Sequence, residues 1–124
     1  MANSVGFHEA EAHLTSGTLD MHRALTSLQE ELEAVDWYQQ RIDATGDAEL
    51  RAILQHNKEE EQEHAAMVLE WIRRRDPAFD SRLRQYLFTD GAITAREEAA
   101  SNNGARPAAA VAVSVGSLRG GARR

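Results

Sequence analysis

Lys58-Glu59-Glu60-Glu61-Gln62-Glu63-His64 looks like a plain acidic run, yet it crosses the stripe of residues that decides the fold. Leu50, Leu54, Asn57, Glu61, His64, Val68 and Trp71 step by four and three residues alternately, which puts them on one face of a helix. Three consecutive members, Asn57, Glu61 and His64, are polar, with apolar residues on both sides. Glu61 and His64 stand one turn apart, so a carboxylate and an imidazole aim at a common point.

Working outward, this helix is expected from about Ala48 to Arg75, with Asp47 as its cap. Upstream, Met21, Leu25, Leu28, Leu32, Val35, Gln39 and Ile42 repeat the same stepping, so an earlier helix is built to pack along another. Gly17 weakens any helix containing it by ~1 kcal/mol, which puts the expected start near Thr18 or Asp20. The first helix ends at Asp43-Ala44-Thr45-Gly46, with Gly46 suited to the left-handed position after a helix. So short a connection makes the two helices antiparallel neighbours. Asp76-Pro77 caps and opens a third, shorter helix through Phe88, closed by Thr89-Asp90-Gly91. The expected class is therefore all-α: an antiparallel two-helix hairpin plus a short third helix. Residues 1–17 are expected to be a flexible N-terminal segment, 18–95 the helical hairpin domain, 96–112 a linker and 113–124 a docking peptide. The linker contains Ser101-Asn102-Asn103-Gly104 and Pro107-Ala108-Ala109-Ala110, and the peptide carries Val113, Val115 and Leu118.

A chain of 124 residues allows one small domain, and two long helices bury little unless they pair with another chain. Cysteine is absent, which excludes a disulfide framework, a thiolate metal site and a cysteine nucleophile. No apolar run is long enough for a membrane span, and the first residues lack a basic-then-apolar signal pattern. The net charge of −6 is uneven: residues 1–95 hold 9 basic and 18 acidic side chains, residues 96–124 hold 5 and 2. An acidic body argues against nucleic acid as partner and suits cations instead.

A carboxylate in an apolar stripe is tolerated in three ways: head in water at the edge of the interface, hydrogen-bonded to Asn57 or a basic partner, or ligating a cation. Glu31 favours the third. It flanks the packing face of the first helix, near its middle, where an antiparallel hairpin brings it opposite Glu61. One Glu from one helix and Glu-x-x-His from its neighbour is half of the ligand set of four-helix di-iron proteins. No second Glu-x-x-His on suitable spacing completes it within the chain, so a two-fold dimer is expected to supply the other half, giving a four-helix bundle. Four carboxylates then match two Fe²⁺ in charge, and assembly is expected to depend on metal; zinc or manganese also suits such ligands. Glu59, Glu60 and Glu63 point mostly off the stripe, and a solvated face is their default reading. Glu30, Glu33 and Trp37 share another face of the first helix, either solvated or lining a cation approach. Tyr38 lies two turns beyond Glu31, as core or as a neighbour of the ligands. His8 and His13 lie in a polar segment whose default is a frayed terminus, and His22 and His56 have no convergent partner.

Three segments together are far more specific than the tetrapeptide: Glu30-Glu31-Leu32-Glu33-Ala34-Val35-Asp36-Trp37-Tyr38, Glu60-Glu61-Gln62-Glu63-His64-Ala65-Ala66-Met67 and Tyr86-Leu87-Phe88-Thr89. Through them the chain, over roughly Met21 to Thr94, closely resembles the encapsulated ferritins, ferritin-like cargo of bacterial encapsulin nanocompartments. The resemblance implies an obligate dimer with a ferritin-like four-helix unit, and dimers joined in an open ring, with a decamer as the expected size. It implies that Glu31, Glu61 and His64 from both chains hold a di-iron centre, and that Glu30, Glu33 and Trp37 form an ion-access site for calcium or another divalent ion. Tyr38 would lie just behind the ligands. The implied activity is oxidation of Fe²⁺ to Fe³⁺ by dioxygen, feeding mineral storage in the encapsulin lumen, within the bacterial cytoplasm. Val113-Ser114-Val115-Gly116-Ser117-Leu118-Arg119 resembles the peptides that dock such cargo inside the shell, with Val113, Val115 and Leu118 as its apolar contacts. Rival expectations are another di-metal oxidase of the ferritin-like group, a metal-sequestering adaptor, and a non-catalytic helical dimer whose polar stripe residues set register.

Overall fold

A computed structural model of the chain describes residues 6–97. Three α-helices follow in order: α1 over Ser16–Ala44, α2 over Ala48–Arg75 and α3 over Pro77–Tyr86. Residues 98–112 of the expected linker and the whole docking peptide, with Val113, Val115 and Leu118, lie outside the described residues.

The chain divides after Pro77 into two compact units. In the first, α1 and α2 form an antiparallel hairpin, seen in contacts that step back along α2 as they step forward along α1. Ile42 meets Arg51, Gln39 meets Lys58, and Glu31 meets His64. Asp47 caps α2 by accepting from the Leu50 amide at 3.0 Å, and the helix spans the range its apolar periodicity requires.

Two ends differ from expectation. α1 starts at Ser16, earlier than Thr18 or Asp20, because Thr15 Oγ1 accepts from the Thr18 amide at 3.1 Å. Gly17 thereby falls in the first turn, where amides have no partner within the helix and a glycine disturbs least. At the other end, Gly46 is not in the left-handed region. Thr45 leaves α1 in extended conformation (φ −80°, ψ 140°), and Arg51 takes over the terminal carbonyls. Its Nε donates to Ile42 O at 3.3 Å and its Nη2 to Thr45 O, so a side chain from the facing helix satisfies groups that a left-handed glycine motif would otherwise pair.

The interior of the hairpin is thin. Ile42, Ala65 and Ile72 are the buried apolar side chains among the described residues. Leu25 and Leu32 on α1, and Ile53 and Met67 on α2, stay well exposed, at 55% for Leu32, 52% for Ile53 and 62% for Met67. Gln39, the polar member of the α1 stripe, is held by Lys58 Nζ at 2.6 Å and donates to Asp43 Oδ1 at 2.9 Å. That linkage fixes hairpin register with a buried-edge polar contact, next to an apolar stripe that alone permits sliding by a turn.

Before α1, Glu11–His13 form a short 3-10 turn, and the Phe7 ring lies 4.8 Å from His22, centroid to centroid. The segment read as frayed therefore has local order over these residues.

In the second unit, α3 ends at Tyr86 and does not run through Phe88. Leu87 still donates to Leu83 O at 2.8 Å, but Phe88 adopts φ 60° and Thr89 Oγ1 donates to Tyr86 O at 2.7 Å. A left-handed residue that is not glycine costs about 1 kcal/mol, and here it ends the helix with the Phe88 ring fully exposed. Helical backbone resumes over residues 93–97, two residues into the stretch read as linker. Gln85 and Arg96 tie it to α3: Gln85 Nε2 donates to Arg96 O at 3.3 Å and Arg96 Nε to Gln85 O at 3.4 Å.

Candidate metal centre

The hairpin brings Glu31 of α1 together with Glu61 and His64 of α2, each near the middle of its helix. One ligand atom from each of the three lies within 4.8 Å of the others. His64 Nδ1 stands 2.9 Å from Glu61 Oε1 and 3.7 Å from Glu31 Oε1. The two carboxylate side chains are 24% exposed and His64 is 44% exposed, so the group opens to one side of the hairpin. Of the three ways Glu61 could be tolerated, pairing with Asn57 is absent: its hydrogen-bond partners are His64 and Glu31.

The two carboxylates and the imidazole shift one another's titration. The hydrogen bond to Glu61, then burial and the charge of Glu61, raise the Glu31 carboxyl above its ordinary 4.5. Hydrogen bonds from Glu31 and His64 hold Glu61 below the same value. The hydrogen bond to Glu61 in turn raises His64 above 6.5 against the opposing effect of burial. A cation held at this point would offset the repulsion between the two carboxylates. Two carboxylates and an imidazole, partly open, form a donor set that fits Fe²⁺ and other divalent first-row ions.

The other residues singled out in the sequence are spread more widely. Glu30 and Glu33 are exposed, and neither belongs to a group of three potential metal ligands among the described residues. Glu30 is still felt at the centre, where its charge raises Glu31. Trp37 is 51% exposed. Tyr38 is half-buried, with the Arg41 guanidinium 5.4 Å from its ring centroid. His8, His13 and His56 are exposed, and His22 packs against Phe7.

One neighbour was missed in the sequence. Glu60 Oε1 lies 3.9 Å from His64 Nε2, on the ring edge opposite the other carboxylates. Its position four residues before His64 was the available signal, since residues i and i+4 meet on a helix.

Comparison with known proteins fixes the family. A family model described as EncFtn-like matches residues 6–90. The chain belongs to the EncFtn-like family. Among its relatives, an encapsulated ferritin-like protein of Rhodospirillum rubrum is 59% identical over 92 residues, 74% of this chain and 66% of the relative. A ferritin-like protein of Thermotoga maritima is 55% identical over 95 residues, 77% of this chain and 83% of the relative. An encapsulin nanocompartment cargo protein, EncC, of Myxococcus xanthus is 39% identical over 103 residues, 75% of this chain and 79% of the relative. A crystal structure of a Nitrosomonas europaea protein aligns with a TM-score of 0.70 at 61% identity, covering 72% of this chain and 98% of that one. This EncFtn-like chain is all-helical over its described residues, and none of its described helices is long and apolar enough to cross a membrane.

Proposed function

We propose that this EncFtn-like chain is a ferroxidase, oxidising Fe²⁺ to Fe³⁺ with dioxygen at a di-iron centre formed between two chains. The convergence of Glu31, Glu61 and His64 within 4.8 Å carries the proposal. These three residues hold and space the metal, and the iron supplies the chemistry: each Fe²⁺ gives one electron to dioxygen. Any proton held by Glu31 or His64 must leave as metal arrives, and the four carboxylates of two chains then balance two divalent ions.

The second chain is required on two grounds. Three ligands are half of a di-iron set, and three buried apolar side chains are too small a core for a hairpin of this length. Ile53 lies three turns before His64 and Met67 one turn after it, both exposed, so the metal centre sits on an apolar surface suited to a second copy. Ring assembly, with a decamer as the expected size, follows the family resemblance. So does an access site at Glu30, Glu33 and Trp37 for calcium or another divalent ion, with Tyr38 behind the ligands.

Relatives named as encapsulated ferritin-like and encapsulin cargo proteins support delivery to the lumen of an encapsulin shell. Val113, Val115 and Leu118 are the proposed contacts with that shell, and iron mineral stored there is the proposed destination of the product.

Stopped-flow absorbance of ferric product, on full-length protein given Fe²⁺ in air, tests the assignment. Glu61→Ala should lose oxidation above the uncatalysed rate while keeping its helical content. A Glu61→Ala chain that oxidises Fe²⁺ like wild type rules the centre out.

A further inference from the structure

The His64 ring is bracketed on both edges, and the two edges are not equivalent. Nδ1 faces Glu61 at 2.9 Å and Glu31 at 3.7 Å, so it is the nitrogen turned into the group of ligand atoms. Nε2 faces out of that group, towards Glu60 Oε1 at 3.9 Å. An imidazole that gives Nδ1 to a metal keeps its remaining proton on Nε2. That N–H needs an acceptor, and the acceptor's place sets the plane of the ring and the basicity of the ligating nitrogen.

Glu60 is the acceptor within reach. It lies one turn before His64 on the same helix, so no loop or neighbouring element has to move. Its carboxylate is 50% exposed and makes no other hydrogen bond or ion pair among the described residues. A separation of 3.9 Å is too long for a direct hydrogen bond, so a direct bond requires this otherwise unengaged side chain to turn towards Nε2. Glu59 differs in both respects. It accepts from Gln55 Nε2 at 3.0 Å and sits a further 100° round the helix from His64. Glu63, also exposed, is adjacent to His64 in sequence and therefore faces another side of the helix.

We propose that Glu60 is a positioning residue for the His64 ligand: it accepts the Nε2 proton and so keeps Nδ1 turned towards Glu31 and Glu61. The inference rests on the metal-centre proposal above and adds a residue to it. Glu60 itself touches no metal in this arrangement. Its effect passes through the imidazole, so it is felt as metal affinity and as the geometry of the bound ion.

Titration of metal-stripped, full-length protein with Co²⁺, followed by the visible absorption of the bound ion at one chain concentration, tests this. Glu60→Ala should weaken Co²⁺ binding about 10- to 100-fold and shift the absorption bands. Glu60→Gln should recover most of the affinity, because its carboxamide oxygen still accepts from Nε2–H. Glu59→Ala removes the same charge one residue away and should bind like wild type. Metal-free thermal melts of all four chains should coincide, which separates positioning from loss of structure. Glu60→Ala binding as tightly as wild type overturns the inference. So does Glu60→Gln as weak as Glu60→Ala with Glu59→Ala weakened equally, which would make charge the whole effect. A wild-type chain that binds no Co²⁺ overturns the metal centre itself; a wild type that binds, with either Glu60 result just given, defeats this inference alone.

Discussion

Replacing Glu70 by Gln keeps the size of the side chain and removes its charge, and the structure gives the expected loss. The carboxylate accepts from Arg73 Nε at 2.8 Å and Nη2 at 2.7 Å, and from Arg74 Nε at 2.7 Å. Those hydrogen bonds, Arg73's first, outweigh burial and hold the Glu70 pKa at about 2 against an ordinary 4.5. At roughly 1.4 kcal/mol per pH unit the displacement corresponds to ~3 kcal/mol. That figure is a ceiling, because the Glu70 and Arg74 side chains are 41% and 67% exposed and water screens them; about 1 kcal/mol is expected at neutral pH. The folded pKa lies below the unfolded one, so the contribution is complete above about pH 4.5 and is lost as pH falls towards 2. With those two values, about 40% of it survives at pH 3. Urea unfolding of metal-free wild type and Glu70→Gln at one chain concentration should therefore differ by about 1 kcal/mol at pH 7 and by less than half of that at pH 3. A difference that is the same at both pH values refutes the ionic origin of the stabilisation.

Two further outcomes concern the metal centre and its surroundings. His64 is raised above 6.5 and Glu31 above 4.5, first through hydrogen bonds to Glu61, and a metal must displace any proton these groups hold. Co²⁺ affinity should fall as pH drops below the raised His64 pKa, about tenfold per pH unit for one proton and more steeply once Glu31 also holds its own; isothermal titration from pH 8 downward, with the proton release measured in two buffers, checks it, and a flat profile would contradict it. Ile53→Lys with Met67→Lys puts two charges on the exposed apolar surface, three turns before His64 and one turn after it, and should shift sedimentation towards the monomer and weaken metal binding at equal helical content.

Much of this architecture was legible because it rests on local rules. Asp47 caps α2 and the alternating steps of four and three fall between Ala48 and Arg75, so both ends of that helix followed from residue types, whereas its buried residues, Ala65 and Ile72, each lie one position beyond a stripe member, His64 and Trp71. The three-residue link forces antiparallel packing, and this alone places Glu31 opposite Glu61. What was not legible depended on side chains reaching between elements or on strain. Gly46 carries the sequence signal of a left-handed cap, but Arg51, distant in sequence, removes the need for it. Phe88 fits a helical pattern, and nothing in its residue type announces a left-handed conformation. Glu60 reads as one of its solvated neighbours because the stripe is defined by apolar packing, while its relation to His64 runs along the surface of one helix.

The central claim is a metal centre completed only by two chains, and anaerobic Fe²⁺ titration followed by analytical ultracentrifugation tests it most directly. Two Fe²⁺ bound per two chains, with the rise in sedimentation coefficient tracking occupancy, is the predicted result. Fe²⁺ bound by a species that remains monomeric, or one sedimentation profile with and without Fe²⁺, would contradict it.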